Sequence, residues 1–220
     1  MRLPALYPIV NVADGSTEAA ERAFALAVEL ADAGVTLMQL RAKPLSAGEM
    51  TQLAMLIVEA LSGSGAALIV NDRADVAAVA GAAGVHLGGE DLPVHAARLV
   101  LAAARSDRAP RHVVGYSTHS VAEAAAASSL GADYLGFGPV FESPTKAGGR
   151  EARGLGLLAE ACRATTLPVV AIGGITLANA PDCWRAGAAS VAVISEIERS
   201  NNPHALVSQW MQTAARCGLA

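Results

Sequence analysis

Short apolar runs that alternate with Ala-rich segments from one end of the chain to the other limit its possible folds more than any other feature. About eight such pairs fit into 220 residues, with the runs at 5–11, 36–41, 67–71, 84–87, 112–117, 132–137, 168–172 and 190–194. Each run is bounded by turn signals and is rich in Val, Ile and Leu, as a strand buried on both faces must be. Strand and helix in strict alternation give a parallel sheet, either closed into a barrel or left open and doubly wound. Apolar residues make up 53% of the chain and charged residues 16%, which suits a sheet sheathed by helices on its outer side. Eight units in this length lie at the compact end for an α/β fold of the single (β/α)8 TIM-barrel type, occupying residues 1–220 as one domain. The shortest helical segment is expected after Asp72.

Four phrases of small residues precede strands: Asp32-Ala33-Gly34-Val35, Gly81-Ala82-Ala83-Gly84-Val85, Gly131-Ala132-Asp133-Tyr134 and Ala186-Gly187-Ala188-Ala189. A glycine there can take the left-handed conformation that ends a helix, so these read as helix-to-strand turns and not as ligand loops. The formal net charge of -4 argues against a nucleic-acid or anionic-membrane surface, and any phosphate ligand must be held by local cations. No apolar stretch has membrane-spanning length, and Pro4 and Pro8 interrupt what would be the core of a signal peptide, so the expected location is the cytoplasm. Cys162, Cys183 and Cys217 show neither metal-ligand spacing nor a disulfide framework and read as free thiols.

Four of the runs end in a burst of polar residues: LMQLRAK from Leu37, LIVND from Leu68, VHLGGED from Val85 and LGFGPVFESPTK from Leu135. In a parallel barrel the C-terminal strand ends form the face that carries chemistry. Gln39, Arg41 and Lys43 are spaced by two, so on a strand they share one face while Met38, Leu40 and Ala42 take the other. Two cations and an amide on one face suit a diphosphate, because Arg forks two oxygens and Lys adds a point charge. Asp72 and Asp91, on separate strand ends beside these cations, suit a Mg²⁺ that bridges protein and phosphate oxygens. Each could instead cap the helix that follows it.

His86 sits within an apolar strand and reads as a hydrogen-bonded structural residue or a base. In GYSTHS, Ser117, Thr118 and His119 could touch a ligand or cap the next helix. The long Gly-rich connection that carries Lys146, Arg150 and Arg153 reads as a lid over an anionic substrate or as a solvent loop. Ala171-Ile172-Gly173-Gly174-Ile175 and Val193-Ile194-Ser195 close the last two strands, where glycine-exposed N–H groups serve phosphate sites in many barrels; a plain tight turn is the alternative.

Taken in order, QLRAK, NDRADVA, GVHLGGEDLP, GYSTHS, GFGPVFESPTK, PVVAIGGI and AVIS make the chain resemble the thiamine phosphate synthase family over nearly its whole length. The resemblance implies a TIM barrel that joins 4-amino-5-hydroxymethyl-2-methylpyrimidine diphosphate to 4-methyl-5-(2-phosphoethyl)thiazole. Thiamine monophosphate and diphosphate would be the products, Mg²⁺ the cofactor, and a cytoplasmic homodimer the form of the enzyme. It places the pyrimidine diphosphate on Gln39, Leu40, Arg41, Ala42, Lys43, Asn71, Ser117 and Lys146, with Arg41, Lys43, Ser117 and Lys146 as the catalytic set. It places Mg²⁺ on Asp72 and Asp91, and the thiazole phosphate on Ser143, Pro144, Thr145, Gly174, Ile194 and Ser195. The implied mechanism is dissociative, with diphosphate leaving before the thiazole nitrogen attacks a methylene cation on the pyrimidine. Ser143 stands where the family usually has Thr, and Gly89 where it often has Gln. Two rival readings are a thiazole tautomerase on the same barrel, using a histidine near His119, and a regulator that binds thiazole phosphate without turnover.

Overall fold

The computed structural model describes residues 2–104, 111–142 and 151–219. Eight parallel strands close into a barrel in sequence order, the first pairing with the last. They are β1 (Leu6–Asn11), β2 (Leu37–Arg41), β3 (Ala67–Asn71), β4 (Gly84–Leu87), β5 (Val113–Thr118), β6 (Tyr134–Phe137), β7 (Val169–Ile172) and β8 (Ser190–Val193). The helices around them are α1 (Thr17–Asp32), α2 (Ala47–Ala60), α3 (Ala74–Ala80), α4 (Val94–Ala104), α5 (Val121–Ala126), α6 (Gly154–Ala164), α7 (Ala180–Arg185), α8 (Ser195–Glu198) and α9 (Pro203–Arg216). The (β/α)8 TIM barrel expected from the alternation is thus the observed fold. The helix after Asp72 has 7 residues and is not the shortest: α5 and α7 have 6 each, α5 running on into a 3₁₀ turn at Ala127–Leu130, and α8 has 4. No helix among the described residues is long and apolar enough to cross a membrane.

Local sequence explains where the helices begin and end. Ser16 accepts the Ala19 N–H at the start of α1, and α2 opens on a reciprocal capping box between Ser46 and Glu49. Gly34, Gly81, Gly131 and Gly187 all have left-handed backbone (φ 93, 69, 84 and 105°), so all four repeated phrases are the helix-to-strand turns they were read as.

The pleat of each strand divides the core in two. Met38, Leu40 and Ala42 face outward into the large cluster between barrel and helices, together with Val10, Val70, Val85, Leu135 and Phe137. Tyr7, Ile9, Leu37, Ile69, Tyr134, Val170 and Ala192 fill the barrel interior. Above this inner plug, at the C-terminal strand ends, the inward positions turn polar: Gln39, Arg41, Asn71, His86 and Ser117. The same period-two rule that packs the outer core therefore aims these side chains into the mouth. The three cysteines are free, and burial pushes the Cys162 and Cys183 thiols up to about 11 and about 12, so both stay protonated at neutral pH.

One inward position is kept empty by design of the register. Gly115 of β5 lies level with His86 of β4 on one side and Tyr134 of β6 on the other. A Cβ there would come within 2.2 Å of Tyr134 Cζ and 2.5 Å of His86 Nδ1. Gly115→Ala should therefore destabilise the fold by about 1–3 kcal/mol through overpacking and separate the two rings. Thermal unfolding checks this, and an unchanged melting temperature would show that the barrel interior can yield at this point.

Candidate active site

Two adjoining cavities occupy the C-terminal face of the barrel. The first, about 70 Å³, is lined by Tyr7, Gln39, Arg41, Asn71, His86, Ser117, His119 and Tyr134, with Ile9, Val170 and Ile172 among its apolar walls. The second, about 440 Å³, lies over β7 and β8 and is lined by Gly173, Gly174, Ile194, Ser195, Glu196 and Arg199 among others. Ile172, Ala192 and Ile194 line both, so the cavities share a wall.

In the first cavity Arg41 Nη1 donates to Asn11 Oδ1 at 2.6 Å, from the strand position directly opposite. Its partner is a neutral amide, and among the described residues Arg41 makes no salt bridge, so its charge stays available to a ligand. Gln39 Nε2 donates to Tyr7 Oη at 3.1 Å, Tyr7 and Tyr134 share a 2.9 Å hydroxyl contact, Tyr134 Oη meets His86 Nδ1 at 3.1 Å, and His86 Nε2 meets Ser117 Oγ at 2.9 Å. Five side chains from β1, β2, β4, β5 and β6 thus form one continuous line across the barrel. Burial drives both phenols to pKa values above their ordinary range, so each keeps its proton. Ser117 and Thr118 are not helix caps: Ser120 caps α5, Ser117 bonds His86, and Thr118 Oγ1 donates to the Gly136 carbonyl at 3.0 Å.

At the rim, Lys43 Nζ lies 3.1 Å from Asp72 Oδ2. Asp72 has left-handed backbone (φ 66°) and its N–H donates to the His86 carbonyl at 2.8 Å, which joins the end of β3 to β4. Asp72 does not cap α3, whose N-cap residue is Arg73 with no side-chain capping bond. Asp91 turns back to accept the Gly88 N–H at 2.6 Å. Burial raises the pKa of Asp91, the Gly88 N–H pulls it down, and the neighbouring Asp72 carboxylate raises it again. The Asp72 carboxylate lies close enough to oppose the ionisation of Asp91, and two such carboxylates are a donor set that suits a divalent cation. Among the described residues no group of three or more His, Cys, Asp or Glu gathers, so any cation here would need further oxygens from a ligand or water.

In the second cavity Gly173 and Gly174 both have positive φ (99 and 63°). A Cβ on Gly174 would sit 2.3 Å from the Glu142 carbonyl, so the start of the β6–α6 connection packs directly on this turn. Glu196 accepts the Leu177 N–H at 3.0 Å and so ties the β7 turn to α8. Ile194 is the N-cap residue of α8 and Ser195 its first residue.

The structure thus brings Gln39, Arg41, Asn71 and Ser117 to one cavity, Lys43, Asp72 and Asp91 to its rim, and Gly174, Ile194 and Ser195 to the adjoining one. Between them, Leu40 and Ala42 bury their side chains in the outer core, because alternate strand residues cannot face the same side. Ser143, Pro144, Thr145 and Lys146 lie outside the described residues. Sequence reasoning passed over Asn11, Tyr134, Glu196 and Arg199. Asn11 carried a signal, since it is a polar residue ending the first apolar run, whereas Tyr134 opens β6 with nothing to mark it as inward.

The family model described as thiamine monophosphate synthase matches residues 6–197. A thiamine-phosphate synthase of Anaeromyxobacter dehalogenans is 42% identical over 219 residues, covering 100% of this chain and 91% of that protein. One from Chlorobium luteolum is 42% identical over 170 residues, 77% of each. Among solved structures, thiamine phosphate pyrophosphorylase from Pyrococcus furiosus superposes with a TM-score of 0.81 at 28% identity, covering 97% of this chain and 96% of that one. A 3-hexulose-6-phosphate synthase with a TM-score of 0.71 at 20% identity shares the barrel alone. On the match across residues 6–197 and on relatives of this similarity, the chain belongs to the thiamine monophosphate synthase family.

Proposed function

We propose that the protein is a transferase of thiamine biosynthesis that couples 4-amino-5-hydroxymethyl-2-methylpyrimidine diphosphate to 4-methyl-5-(2-phosphoethyl)thiazole, with Mg²⁺. The observation that carries this reading is the pair of cavities sharing the Ile172–Ala192–Ile194 wall, one beside an Arg, a Lys and two carboxylates, the other on the turns after β7 and β8. Two phosphorylated substrates joined at their rings need two anion sites with the reacting atoms between them. The pyrimidine would lie in the smaller cavity, its diphosphate toward Arg41 and Lys43, and the thiazole phosphate on Gly174 and Ser195. Asp72 and Asp91 would hold Mg²⁺, which when bound supplies positive charge to diphosphate oxygens.

The chemistry asks little of acids or bases. The carbon–oxygen bond to diphosphate breaks with its electron pair leaving on oxygen, and the thiazole nitrogen lone pair then forms the new carbon–nitrogen bond. Arg41, fixed by Asn11, meets the charge that gathers on the leaving oxygens, and Gln39 and Ser117 hold the ring in line. Purified protein given Mg²⁺ and both substrates is expected to release diphosphate and form thiamine phosphate in equal amounts, read by a coupled diphosphate assay and chromatography. Isomerisation of the thiazole carboxylate with no coupled product would replace this reading with the tautomerase. Binding of thiazole phosphate with neither reaction would replace it with the regulator.

A further inference from the structure

The line Gln39–Tyr7–Tyr134–His86–Ser117 crosses the barrel with polar ends that both border the smaller cavity. Its members between the ends are one-proton relays. Each phenol carries one donor and accepts through oxygen, and a neutral imidazole donates from one nitrogen and accepts at the other. Burial holds both phenols protonated. With the imidazole neutral, two arrangements alone give every link of the line one donor and one acceptor. With Gln39 Nε2 donating to Tyr7, as placed, Tyr7 donates to Tyr134, Tyr134 to His86 Nδ1, and His86 Nε2–H to Ser117, whose own proton then points to the cavity while Gln39 turns its carbonyl there. In the reverse arrangement Ser117 donates inward, every bond changes direction, and Gln39 accepts from Tyr7 and turns its NH₂ to the cavity. A Gln amide has the same shape either way round. A mixed arrangement sets two donors or two acceptors against each other at one link, disfavouring it on the order of ten- to a hundredfold.

We propose that this relay is a specificity device: it ties the two polar ends together so that the cavity always offers one donor and one acceptor, the complement of a ring that pairs an amino N–H with a ring-nitrogen acceptor. Tyr7, Tyr134 and His86 are then positioning residues for an aminopyrimidine. Gly115, level with His86 and Tyr134, exists to let those two meet. The inference rests on the functional reading above for the identity of the ring, and on the hydrogen-bond line alone for the coupling. A 4-oxo analogue, with ring N–H in place of ring N and carbonyl in place of amino, exchanges donor and acceptor; it fits the reversed relay. A 4-methoxy analogue presents two acceptors, and neither arrangement meets it.

The test reads the His86 ring by ¹⁵N NMR in the full-length protein, its signals identified by their loss in His86→Gln. Complexes with the 4-amino diphosphate and with its 4-oxo analogue should show opposite neutral tautomers of His86. Calorimetry should find those two ligands within about tenfold of each other and the 4-methoxy analogue at least about tenfold weaker still. Tyr134→Phe, or Tyr7→Phe if the first does not fold, cuts the line between its ends, so that Gln39 and Ser117 can each turn a donor to the cavity, and should narrow the methoxy penalty. The same tautomer in both complexes, a doubly protonated ring in both, or no binding of the 4-oxo analogue would overturn the relay while leaving the functional reading intact. No binding of the 4-amino diphosphate would overturn that reading and this inference with it.

Discussion

Arg41→Ala is expected to lower turnover by roughly 10²–10³-fold while leaving thermal stability little changed, because removing one preorganised donor to developing charge costs about that much. Arg41 ends β2 with an inward-facing side chain and is aimed by the 2.6 Å bond to Asn11 on the neighbouring strand. It is half-buried and lines the smaller cavity, so truncation enlarges that cavity and does not remove an apolar core side chain. Its worth is electrostatic: a charge held without a carboxylate partner among the described residues needs no rearrangement to meet the diphosphate of the proposed reaction. Arg41→Lys keeps the charge and loses the fork, so it should fall between wild type and alanine. Diphosphate-release kinetics beside thermal unfolding check this, and a full-rate Arg41→Ala would assign the anion to other residues.

Asp72→Asn is expected to raise the Mg²⁺ concentration needed for half-maximal activity by roughly 10–100-fold or more, the loss that even an outer-shell partner's removal causes. Asparagine is the informative substitution here because of the backbone. With φ at 66°, position 72 tolerates Asp, Asn or Gly far better than alanine, which would add about 1–2 kcal/mol of left-handed strain to the loss of charge. Asp72→Asn removes only the charge, freeing Lys43 from its 3.1 Å ion pair and relieving one influence that raises the Asp91 pKa. A metal titration unchanged from wild type, in a variant that melts normally, would reduce Asp72 to a partner for Lys43.

How much of this was legible in the chain follows from what periodicity can carry. The eight strands and the turns between helix and strand were readable because buried runs, Gly-ended helices and a two-residue pleat are local patterns. The inward aim of Gln39 and Arg41 followed from spacing alone, as did the outward aim of Leu40 and Ala42. Asp72 and Asp91 could not be told from helix caps in sequence, since only the fold shows the first on a left-handed corner and the second folded back on Gly88. The relay was invisible for a different reason. Tyr7, Gln39, His86, Ser117 and Tyr134 are up to 127 residues apart, and their contacts arise from barrel register, which no local pattern encodes.

Under the proposed coupling, the wall shared by the two cavities has a kinetic consequence. A product made by joining the contents of two neighbouring chambers must, at the moment of bond formation, fill both. It therefore competes with each starting material at once and gains from the tethering that neither half enjoys alone. Release of the joined molecule, which has to give up two anchorages through one mouth, then becomes a natural place for the catalytic cycle to be slow.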